Sequence, residues 1–232
     1  MRTLAVLSRK GGTGKTTVAL HLAMAAWREG RRTLIADMDP QRSALDWRRE
    51  RQADGPQVIE AKAGALFPAR QAAARAGTEL MVLDTRPSSD GEAAEAVRFA
   101  DFCLLVVRPS FFDLRAIVRT VELVANMNRR AMFVLNQAPT RRNGEEPRAV
   151  KETAEALDAL GLPVCPVGLR YRAGYQVAVR QGLVAQEAEP DSFAAFEINM
   201  LWRHVRRELF EPQAKAGPVT HRELVPEGMP AE

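Results

Sequence analysis

The chain has 232 residues, 46% of them hydrophobic and 27% charged, with a formal net charge of +4. Such a length and apolar content support one domain with its own core and exclude a disordered or low-complexity chain. No apolar run reaches the roughly 18–20 residues of a membrane span, and Cys103 and Cys165 lack CxxC spacing, so free thiols in a reducing cytoplasm are expected.

Short β-rich runs alternate with helical patterns along the chain, the arrangement of a parallel sheet covered on both faces. Strands are predicted at 3–8, 33–37, 57–60, 80–84, 102–107 and 131–136, with a short seventh at 163–167. Helices are predicted at 15–29, 42–51, 64–76, 92–99, 114–128, 145–160, 174–181 and 192–209. The expected fold class is therefore α/β: a single-domain, three-layer sandwich with a mostly parallel twisted sheet of about seven strands. Residues 1–210 form that domain. Residues 211–232, broken by proline and glycine, are expected to be a flexible tail.

Between the first strand and the first helix lies Arg9-Lys10-Gly11-Gly12-Thr13-Gly14-Lys15-Thr16-Thr17. A strand, a glycine-rich turn and a helix start are what a phosphate-binding loop needs. Glycines let successive N–H groups point at phosphate oxygens, and the helix N-terminus adds partial positive charge. Lys15 is placed for the β- and γ-phosphates of ATP, and the Thr16 hydroxyl for a Mg²⁺ shell. The usual loop glycine is missing, since Arg9 stands there, and Lys10 adds a second lysine at the entrance. Only five of the 33 basic residues are lysines, yet two of them flank this loop. A compact ammonium fits among phosphates where a planar guanidinium does not.

Ligands of such sheets gather at the C-terminal ends of the strands. Asp37-Met38-Asp39-Pro40-Gln41 follows the second strand, Asp84-Thr85-Arg86-Pro87 the fourth, Arg108-Pro109-Ser110 the fifth and Asn136-Gln137 the sixth. Asp84, closing an apolar run, is placed to hold Mg²⁺, often through water, with a helix cap or turn as its bland alternative. Asp39 is the candidate to orient an attacking water, and Asp37 to support the metal shell. Phosphoryl transfer needs charge neutralisation more than covalent help. Lys10 is too far toward the entrance to duplicate Lys15, but a second, facing monomer could insert its own Lys10 onto the nucleotide.

The deviant loop, Asp37-Met-Asp39-Pro-Gln41 and Asp84-Thr-Arg-Pro together resemble the ParA/MinD group of deviant Walker ATPases, within the P-loop NTPase fold. Val107-Arg-Pro109-Ser110-Phe-Phe-Asp113 is similar to short plasmid-type ParA proteins of the ParF kind. The resemblance spans about residues 1–210. It implies an ATP-dependent sandwich homodimer with Lys10 acting in trans, slow hydrolysis, and a ParB-like or other cargo-adaptor partner that stimulates it. It further implies that Gly11, Gly12, Thr13, Gly14, Lys15, Thr16 and Thr17 hold the nucleotide, with Asn136 facing adenine. Catalysis falls to Lys10, Lys15 and Asp39, and the metal to Thr16, Asp84 and Asp37. Arg86 departs from the commonest family form.

Within the family, a MinD-type amphipathic membrane helix is not seen in the polar tail, and neither cysteine lies in a loop suited to a bridging iron–sulfur cluster. With the first strand at residue 3, an operator-binding helix-turn-helix is not expected. Sequence-independent DNA binding remains, through Arg170, Arg172, Arg180, Arg203, Arg206 and Arg207 as candidates. The expectation is a cytoplasmic, nucleoid-associated protein that positions a plasmid, chromosome or protein-cluster cargo, with no membrane partner. The alternatives are a nucleotide-switched regulator of a conjugation, secretion or cellulose-synthesis apparatus, and an ATP-dependent metabolic enzyme on the same scaffold.

Overall fold

A computed structural model describes residues 1–62, 64–87 and 90–211. The first half runs β1 (Arg2–Leu7), α1 (Lys15–Arg28), β2 (Thr33–Asp37), α2 (Ser43–Glu50), β3 (Gln57–Glu60), α3 (Leu66–Arg75), β4 (Leu80–Asp84) and α4 (Asp90–Phe99). The second half runs β5 (Phe102–Val107), α5 (Phe111–Asn126), β6 (Ala131–Leu135), α6 (Arg148–Asp158), α7 (Ala173–Arg180), α8 (Ala185–Ala188) and α9 (Phe193–Phe210). The strands form one sheet in the order β3-β2-β4-β1-β5-β6, and every adjacent pair is parallel.

Strand periodicity divides the core in two. Leu4 and Val6 of β1 join Val82, Leu104 and Val106 under α1, α2, α7, α8 and α9. Ala5 and Leu7 join Leu83, Leu105 and Val107 under α3 to α6. Because alternate side chains leave opposite faces, strands covered on both sides must be apolar throughout. β2, β4, β5 and β6 are accordingly buried at every position, while edge strand β3 is only half-buried. Among the described residues no helix is long and apolar enough to cross a membrane.

The predicted seventh strand is a correction: among the described residues the sheet has six. Residues 163–169 run beside β6, with Phe133 N donating to Pro163 O, Cys165 N to Phe133 O and Leu169 N to Leu135 O. Only isolated bridges form, at Phe133–Val164 and Ala138–Arg170. Pro163 and Pro166 carry no N–H, so a continuous ladder is impossible there. A second difference is the start of α5, three residues earlier than its apolar pattern suggests. Ser110 caps it, its Oγ accepting from Asp113 N. The tail expected at 211–232 lies, beyond residue 211, outside the described residues.

Candidate nucleotide-binding site

The C-terminal ends of β1, β2, β4, β5 and β6 share one edge, and the glycine loop curls across it into α1. Gly14 sits at φ 85° as the residue before α1. A Cβ there would lie 2.3 Å from Asn136 Nδ2, so both backbone conformation and space demand glycine. The close approach has a purpose. Asn136 Nδ2 donates to Thr13 O at 2.6 Å and Gln137 Nε2 to Gly12 O at 2.8 Å. Thr13 O and Gly12 O are thereby occupied, and α1 begins with no side-chain cap, leaving its first N–H groups for a ligand. That is a cradle for an anion.

The sequence reading gave Asn136 to adenine; the structure puts its amide on the loop backbone. Gln137 carries a role that sequence reasoning missed. Its signal was its place, next to Asn136 at the end of a central strand.

Lys15 is buried, and its Nζ makes a long 3.4 Å bond to Lys10 O. Burial lowers its pKa, and Asp84 and then Asp39 pull it back up. Asp84 is fully buried, and neither carboxylate oxygen has a hydrogen-bond partner among the described residues. Burial pushes its carboxyl up to about 7, opposed by the Thr16 hydroxyl and Lys15 and aided by Asp37 and Asp39. A buried carboxylate with no well-formed hydrogen bond costs several kcal/mol, and Thr16 and Lys15 offset that cost only in part, so the group has room for a further cation. Lys15, Thr16 and Asp84 together fit a phosphate-bound Mg²⁺, which takes one or two protein oxygens and fills its shell with phosphate and water. No group of three or more His, Cys, Asp or Glu among the described residues forms a protein-only cage.

Asp37 behaves differently from Asp84. Its Oδ2 accepts from Ala44 N and Leu45 N, and its Oδ1 from Asp39 N. The carboxylate assigned to the metal shell thus serves as the cap of α2 and the anchor of the Asp39 turn. Burial raises its pKa while those backbone donors lower it. Asp39 is partly exposed, and its Oδ1 accepts from Gln41 N at 2.9 Å, an Asx turn that aims the segment.

Lys10 is exposed, its Nζ 6.0 Å from the centre of the Phe112 ring. Arg86, the departure from the family pattern, pairs with Glu92 at 2.5 Å. Arg108 makes a bidentate pair with Asp113, from Nε at 3.0 Å and Nη2 at 3.1 Å, fixing the first turn of α5 beside the loop.

The six arginines proposed for DNA are not alike. Arg170 donates to both Glu146 oxygens, and Arg172 to Glu197 through Nε and Nη2. Arg206 lies 3.9 Å from Glu211. Arg180, Arg203 and Arg207 are exposed, on α7 and on α9.

The model of the CobQ/CobB/MinD/ParA nucleotide-binding domain matches residues 4–183. This chain belongs to that family. Within it, maintenance of carboxysome distribution protein A of Halothiobacillus neapolitanus is 32% identical over 216 residues, 88% of this chain and 95% of that protein. Its namesake from Gloeobacter kilaueensis is 33% identical over 219 residues, 87% of this chain and 96% of that protein. Solved structures share the fold at lower identity. The apo McdA of Cyanothece matches with a TM-score of 0.71 at 16% identity, covering 90% of this chain and 99% of that one. MinD of Pyrococcus horikoshii complexed with Mg-ADP matches with a TM-score of 0.67 at 18% identity, covering 88% and 95%. The matched residues 4–183 of this nucleotide-binding-domain family include the glycine loop and the strand ends around it.

Proposed function

We propose that this chain is a ParA-type positioning ATPase. ATP with Mg²⁺ binds at the glycine loop, two copies close face to face, and the pair holds DNA without regard to sequence. An adaptor protein on the cargo stimulates hydrolysis and releases the pair. The two carboxysome-distribution relatives favour a protein assembly over a plasmid as cargo.

Each site residue has a part in this reading. Gly11, Gly12, Thr13, Gly14 and Thr17 hold phosphate through the loop and the start of α1, and Lys15 neutralises the β- and γ-oxygens. Thr16 and Asp84 would hold Mg²⁺, Asp84 through water; the ion, when bound, adds positive charge to the developing phosphate charge. Asp37 keeps the Asp39 turn in place, Asp39 orients water, and the base lies toward Asn136. Arg180, Arg203 and Arg207 are the arginines best exposed for DNA phosphates.

The observation that carries the proposal is the division of labour between two lysines of one loop. Lys15 is buried and feels the charge of Asp84, whereas Lys10 is exposed at the entrance, its Nζ 6.0 Å from the Phe112 ring centre. A lysine placed this way is useful to a neighbour. The test is retention of random-sequence DNA, with ATP or ADP, for the wild type and Lys10→Ala. ATP-dependent, salt-sensitive retention that Lys10→Ala abolishes is expected; retention indifferent to both ATP and Lys10 would falsify the reading.

A further inference from the structure

We infer that the cavity between α1, α8 and α9 is a docking site for an acidic residue of a partner polypeptide. The inference stands apart from the nucleotide reading. The cavity lies at the C-terminal end of α1, about 20 Å of helix away from the glycine loop.

The cavity has a volume of about 350 Å³. Arg28 and Glu29 at the end of α1, Gln186 of α8, and Asn199, Trp202 and Arg203 of α9 line it. Trp202 is 3% exposed and Gln186 1%. Yet neither Trp202 Nε1 nor Gln186 Oε1 has a hydrogen-bond partner among the described residues. A buried indole N–H ordinarily finds an acceptor, and a buried amide oxygen a donor.

Neither group can turn to mend this. The Trp202 ring is built into the hydrophobic core. Gln186 Nε2 donates to His21 O at 3.4 Å, and the backbone O of Gln186 accepts from Arg28 Nη1 at 2.8 Å. Turning the side-chain amide over would set its oxygen against His21 O. One donor and one acceptor are thus held ready with nothing to meet. Around them the rim favours an anion. Arg28 and Arg203 stand exposed against a single glutamate of the lining, Glu29, which itself lies 3.9 Å from Arg31 Nε.

The chemistry of the occupant follows from these groups. The arginines call for a carboxylate, Trp202 Nε1 for an acceptor, and Gln186 Oε1 for a donor, which a carboxylate lacks. An amide N–H beside a carboxylate meets all three demands. A free amino acid would instead bring its ammonium between two arginines. Four of the lining residues are exposed, so the occupant stays partly in water, as a residue does when its chain runs on past the rim. An enclosed metabolite would be covered on most sides. The two unpartnered atoms are sealed from water. The ligand reaches them as Asn199 and Arg203, the exposed neighbours of Trp202 on α9, turn aside. Arg203 Nη1 has a 3.7 Å contact with Met200 Sδ, weak enough to release.

The experiment follows the indole N–H resonances of Trp27, Trp47 and Trp202 in the ¹⁵N-labelled full chain without nucleotide. Trp202→Phe assigns its own resonance, and Trp47 Nε1, bonded to Leu183 O, is the internal reference. The probe is N-acetylglutamate N-methylamide, with the glutamine analogue as neutral twin and N-acetylglutamate as free acid. The Trp202 resonance is expected to move downfield and saturate at millimolar probe while Trp47 stays in place. The neutral twin should bind about 10-fold more weakly or worse. Arg203→Ala and Gln186→Met should each weaken the probe about fivefold or more at an unchanged melting temperature. If Gln186→Met lowers the melt, Arg203→Ala alone decides. A motionless Trp202 resonance overturns the inference, as does a neutral twin that binds equally well or a deciding variant that binds like the wild type. A free acid that binds 10-fold tighter than the probe makes this a metabolite pocket. A random-sequence DNA duplex that moves Trp202 where the probe does not gives the surface to nucleic acid. Either result overturns the polypeptide assignment.

Discussion

Two stretches of α1 treat buried nitrogen in opposite ways. At its start, Lys15 makes a long 3.4 Å bond and faces Asp84, whose carboxylate has no hydrogen-bond partner among the described residues. Two turns on, His21 is fully buried with both ring nitrogens engaged. Its Nε2 accepts from Ala185 N at 3.0 Å, so Nδ1 carries the proton and donates to Thr17 O at 2.7 Å. Nearby, the buried Arg51 guanidinium donates to both Glu187 oxygens, to Gly182 O and to Asp54 O. Trp47 Nε1 adds a bond to Leu183 O. The charged and ring groups around His21 and Arg51 are bonded, although Gln186 Oε1 and Trp202 Nε1 are not; at the nucleotide edge it is a whole carboxylate, Asp84, that has no hydrogen-bond partner among the described residues. A buried carboxylate in that state is the place for a ligand to complete.

Removing a group from each region should break different things. Lys15→Ala is expected to cut ATP hydrolysis roughly 100-fold or more, since one charge on the transferring phosphoryl group is lost. Its melting temperature should hold or rise, because a poorly compensated buried charge has gone. Phosphate release and a thermal melt check both, and a melt several degrees lower would mean that Lys15 is scaffold. Arg51→Met should do the reverse. Leaving Glu187 without its partner is expected to cost about 3 kcal/mol in urea unfolding, with nucleotide affinity largely kept. Adding Glu187→Leu should recover much of that loss. If it recovers none, the bonds from Arg51 to Gly182 and Asp54 carry the stability instead.

The contrast also explains what the sequence made legible. The six strands, β1 to β6, were readable to within a residue, whereas α5 began three residues before its apolar pattern. The loop was readable too, because glycine and lysine have few other reasons to sit between a strand and a helix. Position along the chain revealed strand-end residues but not their partners. Nothing local says that Asn136 reaches back to Thr13, 123 residues away, or that Asp37 caps the helix after it. Nor could composition separate Arg170 and Arg172, held by Glu146 and Glu197, from the exposed Arg180 and Arg203. The four-residue α8 is too short for any period to show, and it exists because His21, Arg51 and Trp47 grip the segment around it.

A smaller effect sharpens the same comparison at Asp84. The folded chain, without ligand, holds this carboxyl at about 7 against an ordinary 3.8, so above neutrality it carries an unfavourable buried charge. Asp84→Asn should therefore stabilise the nucleotide-free protein at pH 8 by about 1–3 kcal/mol, the unpaired amide absorbing part of the gain. Magnesium-dependent hydrolysis should be lost in the same variant. Stabilisation without loss of hydrolysis would remove Asp84 from the metal site.

The same variant uncovers the last prediction. His21 is held at about 4 against an ordinary 6.5, because burial disfavours its charged form. The unfolded chain takes up that proton first, so the stability it provides is complete above pH 6.5 and is lost as pH falls toward 4. Asp84 has the opposite sign: the folded chain takes up its proton first, and acidification from 7 toward 3.8 adds stability. In the wild type the two slopes oppose each other between pH 7 and pH 5 and leave a nearly flat profile. With Asp84→Asn the His21 slope stands exposed, a loss of about 1–2 kcal/mol over that interval. Asp37, also raised by burial, is common to the variants compared and drops out of their difference. Adding His21→Gln should flatten the profile again, read as urea midpoints at matched ionic strength. A slope that survives His21→Gln would assign it to another group and make the neutral His21 bridge a packing contact with no titration of its own.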